Sequence, residues 1–238
     1  MKIIISPSKT RYFNNSSNLK KTTPLFNDKA ESLSNIIKGF EKTQLAKIMK
    51  IKGEILDRTY EEYKEFSQAK SYPAIESYTG TVYKEIKFND YNDDQLIYLE
   101  NNLKIMSALY GVVSPFDGIK PYRLDMNMKI MEQSLYKFWA DYIGRESFTE
   151  KVDELIIDLA SSEFSKMLKF DKISIDFKQF VDGKYKSVAV YSKMARGKMT
   201  NYLIENMVEN IDDIKKFDLD GYSFNEELSS ERKFIFSR

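Results

Sequence analysis

Lys2-Ile3-Ile4-Ile5-Ser6-Pro7-Ser8-Lys9-Thr10 is the stretch on which the fold turns. Three consecutive isoleucines leave no polar face, so the run reads as a short buried strand. Pro7 cannot donate to a ladder and stops the pairing, which delivers Ser6–Thr10 as a polar turn. Two later segments, Leu159–Lys166 and Tyr191–Arg196, share the design of a strand feeding a polar turn or a helix start. Such places collect functional groups, because free backbone N–H groups and the helix dipole favour anions there. Lys9, Lys166, Lys193 and Arg196 are thereby expected near one rim. The ordinary alternative for each segment alone is a Ser cap followed by a solvated lysine.

Outward from the first strand, helical and alternating patterns intermix. Residues 11–27 read as a polar loop. Asp28 and Glu31 have capping-box spacing. Ala30, Leu33, Ile36, Ile37 and Phe40 then share one helical face, with Gly39 near its end. Further helices are predicted over about 43–50 and 54–67, the second turning Ile55, Leu56, Tyr60, Tyr63 and Phe66 inward. Ala74–Thr79, between Pro73 and Gly80, reads as a strand, and Val82–Phe88 as a strand or short helix. Asn92 and Gln95 cap a helix running to Tyr110-Gly111, after which residues 112–127 look irregular.

Ser134 opens a short aromatic helix holding Tyr136, Phe138, Trp139 and Tyr142, and Ser147 with Glu150 forms another capping box. Leu155–Leu159 is a second buried strand. Ile173–Phe180 and Tyr185–Ser192 alternate as a strand pair turned by Asp182-Gly183. Ser192 is expected to cap a helix from 193 to about 208. Gly221–Asn225 and Lys233–Phe236 close as a hairpin. No repeat or linker divides the chain. The expectation is one α+β (mixed α/β) domain over residues 1–238, its mixed central sheet surrounded by helices.

Charge is segregated along the chain. There are 37 Lys+Arg and 36 Asp+Glu, a formal net charge of +1. Residues 1–27 hold Lys2, Lys9, Arg11, Lys20 and Lys21 with no acid, and residues 183–204 hold Lys184, Lys186, Lys193, Arg196 and Lys198 with no acid. Without these the remainder is strongly acidic. If the two stretches meet, they make a basic patch on an acidic body, which attracts phosphates and polyanions. Chance clustering of solvated lysines is the plain alternative.

Composition excludes whole classes of chemistry. The chain has no His and no Cys. Ser–His and Cys–His nucleophiles, thiolates and imidazole bases are therefore out of reach. So are zinc sites of Cys and His, iron–sulfur clusters and His- or Cys-ligated haem. No metal site and no cofactor is expected. The absence of Cys gives no sign of an oxidising compartment. No apolar run approaches the roughly 20 residues of a membrane span, so a cytoplasmic protein without a membrane partner is expected.

Pro121-Tyr122-Arg123-Leu124-Asp125-Met126 places an Arg in a loop dense in Pro, Gly and Tyr, suited to binding phosphate or carboxylate or to pairing with Asp125 or Asp117. Nucleotide-binding loops are missing, since Ser8-Lys9-Thr10 lacks both glycines of a phosphate loop. Ile51-Lys52-Gly53-Glu54-Ile55 resembles a helix-hairpin-helix turn, but Ile55 occupies the second glycine place, and a plain turn between packed helices fits it better. The pairs Asp93-Asp94, Asp212-Asp213 and Glu226-Glu227 read as caps and solvated faces.

The segments named so far recur in a recognisable order. Ile5-Ser6-Pro7-Ser8-Lys9-Thr10 is followed by Leu109-Tyr110-Gly111, Pro121–Met126 and Leu135-Tyr136-Lys137-Phe138-Trp139. Leu159-Ala160-Ser161-Ser162-Glu163, Lys193-Met194-Ala195-Arg196-Gly197 and Gly221-Tyr222-Ser223-Phe224 complete the set. Over essentially its full length the chain resembles the bacterial YaaA family of peroxide stress resistance proteins. The resemblance implies a cytosolic protein that helps cells survive hydrogen peroxide by lowering free iron, and a DNA-binding protein with a basic cleft. The family's motifs fall on Lys9 and Thr10, on Tyr122, Arg123, Leu124 and Asp125, and on Lys193, Ala195, Arg196 and Gly197. Thr81 stands where the family often has Asp, and Ser114 where it often has Arg.

Residues and resemblance converge on a peroxide-response protein that binds DNA without strong sequence preference. Lys9, Thr10, Arg123, Lys166, Lys193 and Arg196 are its candidate phosphate contacts. A binding protein rather than an enzyme is expected. The alternative is an enzyme on a phosphate-bearing or nucleobase substrate, with Glu163 and Asp125 as acid or base.

Overall fold

Ile3, Ile4 and Ile5 are fully buried because their strand lies inside the main sheet. The computed structural model describes residues 1–13 and 19–238. The expected loop at Asn14–Asn18 lies outside the described residues. In chain order the elements begin with β1 (Lys2–Ile5), α1 (Asn27–Lys38), α2 (Lys42–Met49), α3 (Gly53–Lys64), β2 (Tyr72–Pro73), α4 (Ala74–Ser77) and α5 (Thr81–Lys84). Then come α6 (Asp93–Asn102), β3 (Leu103–Ser107), β4 (Gly111–Val113), β5 (Gly118–Ile119), α7 (Leu135–Ala140), β6 (Ile156–Asp158) and α8 (Ser162–Ser165). The chain closes with β7 (Ile173–Val181), β8 (Lys184–Lys186), α9 (Ala189–Glu205), α10 (Ile211–Lys215), β9 (Ser223–Phe224) and β10 (Lys233–Ser237).

The principal sheet runs β4-β3-β1-β6-β7-β10-β9, with β8 paired to β7. Strands β3, β1, β6, β7 and β10 are parallel, while β4, β9 and β8 are antiparallel additions. Helices surround this mixed sheet in one α/β domain. From β1 the order proceeds to β3 on one side and to β6 on the other. Open parallel sheets bind ligands at such a reversal, just beyond the carboxyl ends of the strands.

Several expected elements resolve differently. Ala74–Ser77 is a helical turn, not a strand, because Pro73 sits at its N-cap, where a missing N–H costs nothing. The helix from Asn92 stops at Asn102, and its successor is β3, paired with β1. The Asn92–Gln95 capping box is formed. Asp28 is not a cap: Phe26 holds that position, and the Asp28 carboxylate meets Lys29 at 3.0 Å. Ser147 ends a short turn rather than opening a helix. Ser192 lies inside α9, which begins at Ala189, and its Oγ donates to Phe177 O at 3.3 Å. Ile36 and Ile55, assigned inward, face solvent. Lys50–Lys52 form the turn between α2 and α3, with Lys50 and Gly53 both at positive φ.

Candidate anion-binding cleft

The carboxyl ends of β1 and β6 open into a cleft of ≈ 450 Å³. Beyond β1 the chain supplies Ser6–Arg11, and beyond β6 it supplies Leu159, Ser161, Glu163 and Phe164. The two turns are tied directly: the Ser161 N–H donates to Ser6 Oγ at 2.8 Å, and Ser6 Oγ to Ser161 Oγ at 3.1 Å. Gly80–Tyr83 and Tyr122–Asp125 form further walls, and α9 contributes Lys193 and Arg196. The two acid-free stretches of sequence therefore do meet, at one opening.

Gly197 is what brings α9 to the cleft. A Cβ there would stand 2.3 Å from Val82 O and 2.8 Å from Glu85 Cβ, so only glycine lets α9 lie against α5. Arg196 and Lys193 are carried in with it. Below Tyr122, its hydroxyl meets those of Tyr78 and Ser107, each at 2.9 Å. Tyr83 donates to Ser6 O and Tyr63 to Arg123 O, both at 2.8 Å. Burial pushes the phenols of Tyr63, Tyr78 and Tyr83 up, so this floor stays neutral.

Five cationic side chains line the cleft against two acids, Asp125 and Glu163. Lys9 Nζ holds Asp125 Oδ2 at 2.6 Å. Glu163 accepts from the Met126 N–H at 3.0 Å through Oε1. Arg196 reaches Asp176 only loosely, at 3.8 Å. Burial lowers the Arg196 pKa, with Asp176 and Asp158 opposing that effect. Arg123 and Arg196 each carry a buried Nε with no hydrogen-bond partner among the described residues. A buried donor left unpaired costs about 1–3 kcal/mol.

Of the residues predicted from sequence, Lys9, Thr10, Arg123, Asp125, Glu163, Lys193 and Arg196 line this one cleft. Lys166 does not: it caps the C-terminus of α8 on the exposed surface. Arg11, absent from the candidate set, also lines it, with its guanidinium 4.1 Å from the Tyr122 ring centre. Its place in the acid-free N-terminal stretch, two residues after Lys9, was the available signal. Thr81 lines the cleft where a carboxylate is common in the resembled family, so that charge is absent here. Ser114 instead receives Lys104 Nζ at 2.7 Å and lines a different groove. No cluster of three or more potential metal-ligating side chains occurs among the described residues. Nor, among those residues, is any helix long and apolar enough to cross a membrane.

The family profile described as peroxide stress protein YaaA matches residues 1–228. A UPF0246 protein of Fusobacterium nucleatum is 46% identical over 248 residues, covering 100% of this chain and 99% of the relative. A UPF0246 protein of Francisella philomiragia is 36% identical over 254 residues, with 100% of both chains covered. One from Francisella tularensis has the same identity and coverage.

Proposed function

Since the chain belongs to the YaaA peroxide stress family, the UPF0246 proteins, we propose that its cleft binds the phosphates of DNA in the cytosol, without strong sequence preference. The observation that carries this reading is the gathering of five cationic side chains against two acids at one opening. Backbone phosphates are read by charge and by forked donors, which is what Arg123, Arg196, Lys9 and Lys193 supply. Occupying DNA would limit damage from free iron indirectly, which suits a chain with no His or Cys to chelate iron tightly. The test is fluorescence anisotropy with labelled DNA of unrelated sequences across a salt series. Affinity should fall steeply with salt and vary little with sequence, and salt-independent binding would refute it.

One observation supports a second reading, an enzyme on a phosphate-bearing or nucleobase substrate. Glu163 lies among the cations of a cleft of small-ligand size, with Oε1 held by a backbone N–H. A thermal-shift screen of nucleotides and nucleobases separates the two, because a small ligand of the native state raises the melting temperature.

A further inference from the structure

Strand β7 outruns its neighbour. Asp158, the last residue of β6, lies opposite Ser174, so Ile175–Val181 continue past the end of β6. At about 3.3 Å per residue that is roughly 20 Å. The overrun lies on the side where β6 leads into the cleft. Strand β10 accompanies it as far as Lys178, and Arg238 O accepts from the Phe180 N–H at 2.8 Å. Past that point its strand partner among the described residues is β8, turned back through Asp182-Gly183. The chain then enters α9 and reaches the cleft again at Lys193.

The tip of this hairpin presents two aromatic rings to solvent. Phe180 is 59% exposed and Tyr185 41%, with their ring centres 5.1 Å apart at 63°. Val181, Val190 and Tyr191 are exposed in the same stretch of chain. Residues 178–193 hold Lys178, Lys184, Lys186 and Lys193 against one acid, Asp182, which pairs with Lys186 at 3.2 Å on the exposed turn. Exposed aromatics in a cluster mark an interaction surface. The lysines give that surface a polyanion as partner. A polyanion that also offers flat rings is a nucleic acid, and its rings are accessible only where they are unpaired, since a duplex keeps them stacked inside.

We propose that the β7–β8 hairpin is a stacking arm for single-stranded nucleic acid. Bases lie on Phe180 and Tyr185, phosphates follow Lys184 and Lys186, and the strand continues to Lys193 at the mouth of the cleft. This rests on the polyanion reading given above and adds the form of nucleic acid that the arm selects.

The experiment compares a labelled oligothymidylate with a duplex of equal length, using the full chain, Phe180→Ala/Tyr185→Ala, and Lys9→Glu/Lys193→Glu. The aromatic variant should lose at least about tenfold in single-strand affinity while duplex affinity stays within about twofold. Its salt dependence should be unchanged, because no charge is removed. No loss, or an equal loss on both ligands, overturns the arm. If the full chain binds neither ligand, the polyanion reading falls and takes the arm with it. If only the Lys9/Lys193 variant loses binding, the arm alone falls. The arm is also overturned if the aromatic variant abolishes flotation with phosphatidylserine vesicles, or turns a dimer into a monomer by light scattering. Both side chains are exposed, so melting curves should match those of the parent. A Lys184→Glu/Lys186→Glu variant provides a second test: it should weaken single-strand binding and flatten its salt dependence.

Discussion

At the amino edge of the parallel strands a groove of ≈ 810 Å³ is lined by Met1, Lys2, Lys104, Glu154 and Glu209 among others, and at their carboxyl edge the cleft is only ≈ 450 Å³. The larger space is electrostatically settled. The Met1 amine meets Glu154 at 2.8 Å, Lys2 donates to Asn101 O at 2.7 Å, and Lys104 donates to Ser114 Oγ. Nearby, Arg145 sends its terminal nitrogens to the carbonyls of Asp171 and Glu154, while its Nε, like those of Arg123 and Arg196, has no partner among the described residues. The smaller space keeps cations in excess, five against the two acids Asp125 and Glu163. Volume therefore does not identify the site here; the excess of positive charge does.

The contrast breaks most readily by charge reversal. Lys9→Glu/Lys193→Glu should cut DNA affinity by about 100-fold or more at low salt and reduce the slope of log affinity on log salt by about 2, measured by anisotropy. Lys151→Glu, in the amino-edge groove, should leave affinity within about twofold. Equal effects at both edges would erase the distinction. Gly197→Val should destabilise the fold by about 1–3 kcal/mol or more, because its Cβ would meet the Val82 carbonyl. Differential scanning calorimetry should show this as a melting temperature lower by about 2–4 °C per kcal/mol.

Smaller effects come from two acids at opposite ends of β6. Burial raises the Asp158 pKa, with hydrogen bonds from Ser165 and Ala160 opposing. Ionising it opposes folding, so its contribution is fullest below the ordinary value of about 4 and is lost as pH climbs through the raised one. Asp158→Asn should therefore gain on the parent in melting temperature as pH rises from about 4 to 7. At Glu154, burial is outweighed by hydrogen bonds from the Met1 amine and Thr149, and its pKa falls to about 2. Its contribution is present above the ordinary value of about 4.3 and is lost as pH falls toward the lowered one. Glu154→Gln should remove part of the acid limb of the stability profile, a change read from melting curves below about pH 4.

Legibility in the sequence followed the strength of local signals. β1 and β6 are apolar runs with polar stops, and the β7–β8 turn has Asp182-Gly183, so all three were readable. β3 was not, because Leu96, Leu99 and Leu103 keep a helical spacing across Asn101-Asn102, and it is pairing with β1 and β4 that makes Leu103–Ser107 a strand. The site was readable as charge: the acid-free stretches contain Lys9, Lys193 and Arg196. What could not be read was direction. Lys166 looks equivalent to Lys9 in sequence and both are exposed, yet Lys9 borders the cleft and Lys166, at the end of the single turn α8, does not. Arg11 matters because Tyr122 lies beneath it, a contact made across 111 positions of chain.

The seam between α5 and α9 has a kinetic meaning. With no side chain at Gly197, α9 lies directly against the Val82 carbonyl of α5. Packing that close favours a mouth shaped before anything arrives. Capture should then show a single phase whose rate rises in proportion to ligand concentration, with no plateau from a slow opening step.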